Sequence, residues 1–409
     1  MKRILVVAND FPFPPAHGAA VDMWNRILNL REMGYTVDLL ATVKDTPDDI
    51  RLNEVRKHVE NLWVVHRNSN IRSLLSLVPF QVRSRATLEH VNIDHRFDGI
   101  ILEADYVAFF LKNPAARGAK LILRVHNEQV SYFRELAEGA AGWLKKLYFY
   151  SESFKFRFFS QLVMRKCDLI WFISDSDREE QVQRHPSDDK KFLFLPTHVS
   201  PRDLKPFSGN GNTALFIGGL TISHNSDSVK WYIKNVHPQL ADLKEYAFQV
   251  AGRTAGRPIP ELRNLAQRNP GVLLEEDPVV LDWLYEHSAV FVNPVIRGAG
   301  IKVKVVQAIQ AGVPVVSTSM GIEGTGFKDS VHVLVADTPK AFAECVRSVI
   351  TEPGLAEFLV HNAQSFLRER YDMKINMHQT LSQLLSPHQD SLETADNMGP
   401  VAPSGGYGN

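Results

Sequence analysis

The chain has 409 residues, with 46 basic and 46 acidic side chains, so it is too long for one hydrophobic core and carries no net charge. The neutral balance excludes a protein-wide basic field for nucleic acid. The two cysteines have no metal-type spacing, which excludes a disulfide scaffold or a zinc ribbon and suits a reducing cytoplasm.

The first half of the chain alternates short apolar strands with helical patterns. The opening MKRILVVAN predicts a first strand rather than a signal peptide, because its apolar run is short. AAVDMWNRILNLREMG has helical spacing and ends at Gly34. Further strands are predicted from TVDLLATV, NLWVVHR, DGIILEA, KLILRVHN and LIWFISDS. Strands separated by helices predict a parallel, doubly wound sheet.

A second unit of the same kind follows a linker. Residues 195–212 are rich in Pro, Gly, Ser and Asn, and ALFIGGL, AFQVAGR, VLLEED, AVFVNPVI, VPVVSTS and HVLVAD then restart the strand series. The predicted organisation is a Rossmann-like domain over 1–194, the linker, a second Rossmann-like domain over 213–370, a helix over 371–385 that packs back toward the first domain, and a disordered tail over 386–409. Ligands of open α/β sheets bind beyond the carboxyl ends of the strands, so we expect a cleft between the domains to hold the site.

A glycine turn leads into a helix at RGAGIKVKVVQAIQAG, residues 297–312. We predict a helix that begins near Ile301 and ends at Gly312. The free amides at its start, its dipole, Lys302 and Lys304 would together hold an anion. A tight turn followed by solvated lysines is the alternative interpretation.

Three further motifs lie at predicted strand ends. The proline-rich loop NDFPFPPAHG brings Gly18 to the start of a helix without a G-x-G-x-x-G fingerprint, which counts against an ordinary dehydrogenase; a rigid structural loop is the alternative. His126 ends the strand in LRVHNEQ, where active-site groups collect, although a lone histidine is also a common structural residue. The acids of SDSD, residues 174–177, could chelate a metal, but we favour a helix cap there.

The segment over residues 143–166 mixes eight aromatic side chains with six Lys/Arg and a single acid. Such a helix suits docking on an anionic membrane surface. A helix with a large buried face and snorkelling lysines is the alternative. Nothing else in the chain supports stacking on nucleic-acid bases. No apolar run approaches the ~18 residues of a spanning helix, so we expect any membrane contact to be peripheral.

In this order, the motifs resemble the GT-B glycosyltransferases of the retaining, family 4-like group, over roughly residues 3–385. The motifs that carry the resemblance are FPFPPAHGAAVDMWNRILNL, RVHNEQ, CDLIWFISDSDREE, ALFIGGLTISHNSDSVKWYI, FQVAGR and, above all, NPVIRGAGIKVKVVQAIQAGVPVVSTSMGIEGTG. The resemblance implies transfer of a sugar from a nucleotide-sugar, with the anomeric configuration retained and without a metal or other cofactor.

The resemblance also assigns roles to residues. It places the donor mainly on the C-terminal domain and its diphosphate on amides near Gly300 and Ile301. His126 matches a family histidine near the donor sugar and is therefore predicted to be the catalytic residue. The remaining residues assigned to donor binding are Gly18, Gly219, Arg253, Lys302 and Lys304.

The chain departs from the family at two acidic positions. The family has two glutamates eight positions apart, which contact the donor sugar and the ribose. Counting back from Gly312, Ala299 and Gln307 stand at these positions, and aligning the glycines instead puts Arg297 at the first. Gln307 can still hydrogen-bond a hydroxyl, whereas the side chain of Ala299 offers no polar contact.

The sequence therefore predicts a glycosyltransferase that uses a glycan or lipid-linked acceptor in the synthesis of cell-surface polysaccharide. We expect it in the cytoplasm, peripheral on the inner face of the membrane. Loss of both glutamates motivates an alternative, a catalytically degenerate GT-B subunit that binds nucleotide or scaffolds a partner transferase. A nucleotide-sugar epimerase on the same fold would need acids that the motifs do not supply.

Overall fold

Two parallel sheets organise the chain, each with helices on both faces. A computed structural model describes residues 1–15, 18–68, 70, 76–140, 142–199, 204–207, 211–254, 256–278, 280–297 and 301–386. Within these residues, no helix combines the length and the hydropathy that crossing a bilayer requires. The predicted tail beyond residue 386 and the predicted contacts at Ala299 and Gly300 lie outside the described residues.

The N-terminal domain is built on seven strands. In chain order its elements are β1 (Arg3–Ala8), α1 (Gly18–Glu32), β2 (Thr36–Val43), α2 (Asp49–Arg56), β3 (Leu62–His66), α3 (Phe80–Arg83), β4 (Gly99–Glu103), β5 (Lys120–Val125), α4 (Gln129–Glu138), α5 (Trp143–Lys166), β6 (Leu169–Phe172), α6 (Asp175–Arg184) and β7 (Phe192–Phe194). The sheet order is β3-β2-β1-β4-β5-β6-β7, and all of its pairings are parallel.

The C-terminal domain repeats the plan with six strands. Its elements are β8 (Thr213–Ile217), α7 (Ser223–Asn235), β9 (Ala247–Gly252), α8 (Pro260–Arg268), β10 (Val272–Glu276), α9 (Asp282–Glu286), β11 (Val290–Asn293), α10 (Val303–Gln310), β12 (Val315–Ser317), α11 (Ser319–Ile322), β13 (Leu334–Val335), α12 (Pro339–Thr351), α13 (Pro353–Arg370) and α14 (Met373–Leu385). The order β10-β9-β8-β11-β12-β13 is also parallel throughout. The predicted pair of doubly wound domains is therefore confirmed.

Alternation along the strands gives each sheet two buried faces. On β1, Leu5 and Val7 lie in the cluster that packs under α4 and α5, whereas Ile4 and Val6 lie in the cluster that packs under α1. Apolar residues on both faces explain why the parallel strands appear as continuous apolar runs in the sequence. The last helix, α14, also belongs to this domain's core: Met373 and its apolar neighbours on α14 pack in the cluster that contains Ile4.

Glycine ends α10 as the sequence predicts, although the helix begins at Val303 rather than near Ile301. Gly312 has φ +79°, and a Cβ there would lie 2.3 Å from the carbonyl oxygen of Pro206. Both the left-handed backbone and the close approach require glycine at this position. The turn after α10 is thus packed against the interdomain linker.

Candidate active site

The amino-terminal ends of α1 and α10 meet across the cleft between the domains. A Cβ built on Gly18 would lie 3.5 Å from Cγ2 of Val303. Each helix follows the carboxyl end of an interior strand of its sheet, β1 in one domain and β11 in the other. The structure therefore brings together the starts of the two helices that, in the sequence, follow the proline-rich loop and the glycine turn. Free amides and two positive dipole ends converge where an anion would be stabilised.

Lys304 lies in the first turn of α10 with an ammonium that no described carboxylate neutralises within 4 Å. Its Nζ donates to Oδ1 of Asn225 over 3.0 Å and lies 4.2 Å from the ring centroid of Phe216. Burial, together with the charge of Lys302, lowers the pKa of Lys304 to about 7. The protein thus holds a cation in surroundings that disfavour it, and an anionic ligand would supply the missing opposite charge.

Lys302 occupies the N-cap position of α10 and is only 8% exposed. Burial lowers the pKa of Lys302, while Glu323, Glu135 and Asp177 act in the opposite direction. Burial also lowers the pKa of His224 to about 4, with Lys304 and Lys302 adding to the effect. His224 belongs to the first turn of α7, so a third helix N-terminus lies within the field of the two lysines.

The glycine turn after β8 is fixed by close backbone contacts. A Cβ on Gly252 would lie 1.7 Å from the carbonyl oxygen of Gly218, so the end of β9 crosses this turn in direct contact. Asn225 Nδ2 donates to the carbonyl oxygen of Gly219 over 3.2 Å. Because Oδ1 of Asn225 also accepts from Lys304, this one side chain couples the glycine turn to the lysine.

The other residues predicted to bind the donor lie on the same edge of the C-terminal sheet. Arg253 follows β9: its carbonyl oxygen accepts from the backbone N–H of Leu220 over 2.9 Å, and its side chain is exposed. Ile301 is half-buried, just before α10. Gln307 is exposed one turn after Val303, on the helix face that includes Lys304.

His126 is part of a buried ionic network inside the N-terminal domain, which includes Asp22 of α1. Arg26 donates to Asp22 over 2.6 Å and to Glu103 over 2.7 and 3.1 Å, and Arg124 donates twice to Asp22 at 3.0 Å. The distance between His126 Nε2 and Glu103 Oε2 is 2.9 Å. Burial alone would raise the pKa of Asp22, but Arg124 and Arg26 lower it to about 2.

The network is electrically balanced without a bound cation. Asp22, Glu103 and His126 place ligand atoms within 4.8 Å of one another, close enough to hold a metal ion. Two guanidinium groups already neutralise the two carboxylates and occupy their oxygens, so the donor set fits ion pairing better than metal binding. His126 Nδ1 has no hydrogen-bond partner among the described residues, and it lies 3.7 Å from Asp22 Oδ2.

The predicted helix cap at SDSD is confirmed. Ser174 Oγ accepts from the backbone N–H of Asp177 at the start of α6. Asp175 pairs with Arg178 over 2.7 Å and, from the other domain, with Arg370 over 2.9 Å. Asp175, the first acid of the motif, thus forms ion pairs, one of which connects the two domains.

Asn225, His224 and the carboxylates of the buried network were not predicted as functional residues. Glu103 and Arg124 do leave a signal in the sequence, because each is a charged residue that directly follows a run of apolar residues in its strand. A buried charge requires a partner, so each of these side chains indicates an ion pair, and the partners in the structure are Arg26 for Glu103 and Asp22 for Arg124. The contacts of Asn225 leave no such signal, since polar residues are common in a helix's first turn.

Comparison with known proteins identifies similar sequences. Residues 211–352 match the family model described as glycosyl transferases group 1. A protein of Klebsiella pneumoniae, described as an uncharacterized 44.6 kDa protein in the cps region, is 28% identical over 386 residues, which cover 91% of this chain and 97% of that protein.

Solved structures share the architecture of the whole chain. Sucrose-phosphate synthase from Thermosynechococcus elongatus superposes with a TM-score of 0.68 at 13% identity, covering 94% of this chain and 99% of that one. HepE from Anabaena, solved in complex with UDP and glucose, gives a TM-score of 0.65 at 14% identity over the same shares of the two chains. Residues 211–352 thus resemble the glycosyl transferases group 1 family, and the chain as a whole has the two-domain GT-B fold of these solved structures.

Proposed function

We propose that the protein transfers a sugar from a nucleotide-sugar to a glycan or lipid-linked acceptor in the synthesis of cell-surface polysaccharide, with retention of the anomeric configuration. The observation that carries the proposal is the convergence of the starts of α1, α7 and α10 around Lys302 and Lys304. The cps region named for the Klebsiella protein, and the UDP and glucose bound to HepE, agree with a nucleotide-sugar donor and a polysaccharide product.

The reaction breaks the bond between the anomeric carbon and the diphosphate oxygen and forms a bond from that carbon to an acceptor hydroxyl oxygen. Negative charge develops on the departing diphosphate, and the hydroxyl proton passes to it. We assign Lys302, Lys304 and the first amides of α10 to stabilising this charge. Fixed cations and amides in a closed cleft need little reorganisation, which makes them effective at this step. In this proposal the lysines supply the positive charge that a metal would otherwise provide.

His126 is assigned to positioning in this proposal. It is 7% exposed and lies 2.9 Å from Glu103, whereas its chain neighbours Val125 and Asn127 line a cavity of about 910 Å³ in the N-terminal domain. A histidine held by a carboxylate has a fixed ring orientation, so it can set the geometry of the following loop. Gln307 and Arg253, both exposed near α10, are assigned to the donor's hydroxyls and phosphates.

The outer face of α5 is assigned to an anionic membrane surface. It exposes Trp143 (72%), Leu147 (60%), Phe154 (64%) and Phe158 (57%) in register along the helix. The basic side chains exposed along the same helix are Lys145, Lys146, Arg157, Arg165 and Lys166. The helix has one acid, Glu152, which is buried and pairs with Lys155 over 2.8 Å. Its exposed part therefore combines apolar, aromatic and cationic side chains without an acid, as interfacial helices do.

The donor assignment is tested by a thermal-shift screen against UDP, GDP and ADP and their sugar conjugates, followed by transfer assays with the radiolabelled sugar of any hit. We expect one nucleotide to raise the melting temperature, since a ligand that binds only the folded form stabilises it. A chain that none of these nucleotides stabilises would contradict the proposal.

Gln307 stands where the family has its second glutamate, and this replacement motivates the alternative of a catalytically degenerate subunit. Such a subunit would bind the nucleotide in the same cleft and transfer no sugar, alone or with membranes supplying the acceptor. Nucleotide binding together with turnover supports the transferase, and binding without turnover under all acceptor conditions supports the subunit.

The membrane assignment is tested by flotation with vesicles that contain phosphatidylglycerol. Leu147→Glu and Phe154→Glu should abolish binding while leaving nucleotide binding unchanged, because both side chains are exposed. Phe358→Glu, at a 50% exposed position in the other domain, is the matched control. Equal flotation of all three variants and the wild type would remove α5 from the membrane surface.

A further inference from the structure

A smaller cavity in the N-terminal domain contains two arginines that the donor chemistry does not use. It encloses about 250 Å³, and its walls include Arg67, Arg85 and the rings of Tyr106, Tyr132 and Tyr148. The volume is about that of one small polar group with its solvent shell or one sugar ring. Two of its lining side chains, Arg67 and Arg85, carry positive charge.

Arg85 is a buried cation whose described partners are all neutral. It is 2% exposed and donates to Oγ1 of Thr42 over 2.9 Å, to the carbonyl oxygen of Gln81 over 2.6 Å and to the carbonyl oxygen of Asn9 over 2.8 Å. Its guanidinium carbon lies 5.4 Å from the ring centroid of Tyr106. Burial, and then the nearby charge of Arg67, lower the pKa of Arg85 to about 9. Asp10 acts in the opposite direction, but its single charge cannot balance both guanidinium groups. A buried charge that is not fully compensated is costly, and an anion in the cavity would lower that cost.

Arg67 adds a second guanidinium with hydrogen-bonding capacity to spare. Its Nη2 lies 3.1 Å from Oδ1 of Asp10, a carboxylate with a 46% exposed side chain. Its Nε is buried and has no hydrogen-bond partner among the described residues. With Arg85, Arg67 and Asp10 charged, the formal sum around the cavity is +1, which a singly charged anionic group would balance.

The cavity lies at the ligand-binding edge of the sheet. Asp10 follows β1, Arg67 follows β3 and Tyr106 follows β4, so all three come just after carboxyl ends of parallel strands. From Asp10 the chain runs on to Gly18, which faces α10 of the other domain. On its other side the cavity reaches Tyr148 of α5, next to the exposed Leu147.

We infer that this cavity binds an anionic group, a phosphate or a carboxylate, carried by the sugar acceptor. Two guanidinium groups recognise either anion through charge-assisted hydrogen bonds, and the tyrosine rings provide flat apolar walls for the adjoining sugar. Assigning the anion to the acceptor rests on the proposed function, because only a transfer reaction has an acceptor. Anion binding itself does not depend on the proposed function, since it is argued from the two arginines of the cavity.

The test measures binding of α-D-glucose 1-phosphate, glucuronic acid and glucose by calorimetry, with the nucleoside diphosphate from the thermal-shift screen saturating the donor site. With the nucleoside diphosphate occupying the donor site, Lys302 and Lys304 are not available to bind the probes. We expect at least one anionic probe to bind at least tenfold more tightly than glucose, and the tighter of the two identifies phosphate or carboxylate. Arg67→Gln should weaken that probe at least tenfold without affecting glucose.

The choice of Arg67→Gln, with Arg83→Gln as its control, separates an effect on binding from an effect on folding. Arg85 donates hydrogen bonds to three separate segments, so Arg85→Gln is at risk of unfolding. The side chain of Arg67 makes one ion pair in the described structure, to a half-exposed carboxylate, so Arg67→Gln should have the melting temperature of the wild type. Arg83→Gln, at an exposed arginine of α3 whose guanidinium carbon lies 5.8 Å from the ring centroid of Phe109, should bind all probes as the wild type does.

The outcomes distinguish this inference from the proposed function. If Arg67→Gln binds the anionic probes as tightly as the wild type, or if neither anion binds better than glucose, the cavity is not an anion site, whatever the nucleotide does. If no nucleotide binds the wild type, the proposed function fails, and the same probes are then measured on Lys304→Met protein without nucleotide. A loss of anion binding on adding Arg67→Gln to that protein would still support the cavity.

Discussion

Gly18 and Val303, the first residues of α1 and α10, are in van der Waals range across the cleft: a Cβ on Gly18 would lie 3.5 Å from Cγ2 of Val303. That distance leaves room for one methyl group and no more. The two helix starts can therefore come together on a shared anion only if the residue at position 18 is small.

The first prediction concerns this contact. Gly18→Ala should keep near-normal activity, whereas Gly18→Leu should lower kcat/KM at least tenfold, because its side chain holds α1 and α10 apart. The melting temperature of both variants should stay close to that of the wild type, since the added atoms point into the cleft. Normal kinetics for Gly18→Leu would show that the domains need not approach each other here during turnover.

The second prediction concerns the two lysines of α10. Lys302→Ala and Lys304→Met should each lower kcat/KM by roughly 100-fold, about 3 kcal/mol, because each removes a fixed cation from the developing charge of the leaving group. Steady-state kinetics and nucleotide titrations measure the effect. Lys340→Ala, at a lysine with an 84% exposed side chain on α12, is the control and should behave as the wild type. Unchanged kinetics in both α10 variants would exclude the diphosphate assignment.

The third prediction concerns pH. In the free protein, Lys304 has a pKa lowered to about 7, so it is largely neutral at pH 8. A bound diphosphate favours the ammonium and raises this pKa, so binding at pH 8 should take up a proton and affinity should fall as the pH rises above 7. Calorimetry in two buffers of different ionisation enthalpy measures that proton. Lys304→Met should abolish the uptake, and identical heats in both buffers for the wild type would contradict the expectation.

The fourth prediction compares two members of the buried network. His126→Ala should slow transfer with little change in unfolding free energy, because Glu103 keeps both of its bonds from Arg26. Arg26→Met should lower that free energy by about 3–5 kcal/mol, since it leaves buried carboxylates undercompensated. Chemical denaturation and transfer assays on both variants measure the contrast. Wild-type activity in His126→Ala would remove His126 from the site.

The sequence predicts the fold well because parallel strands buried on both faces leave uninterrupted apolar runs, such as RILVVA in β1. The sequence predicts the shortest strands less well. β7, over Phe192–Phe194, was not predicted, and HVLVAD contains only the short β13, Leu334–Val335. Both lie at the edges of their sheets, where fewer neighbours are available to extend the pairing.

The candidate site is only partly readable from the sequence. Glycine turns and lysines next to a helix start indicate an anion site locally, so Gly18 and Lys304 could be selected by their motifs. The link from Lys304 to Asn225 joins residues 79 positions apart, and the link from Arg124 to Asp22 joins residues 102 apart. Such pairs are decided by the packing of whole elements, which local spacing does not contain.

The placement of α14 has a consequence for how the protein is synthesised. Its apolar side chains complete the core of the domain whose first strand is β1, so about 190 further residues must be made after β7 before that core is whole. At ordinary ribosomal speeds of about 5–20 residues per second, the gap lasts roughly 10–40 s. During this interval the nascent N-terminal domain carries an uncovered apolar face beside Ile4, which makes it a natural client for chaperones. A fragment ending at Phe194 should for the same reason aggregate when it is expressed alone.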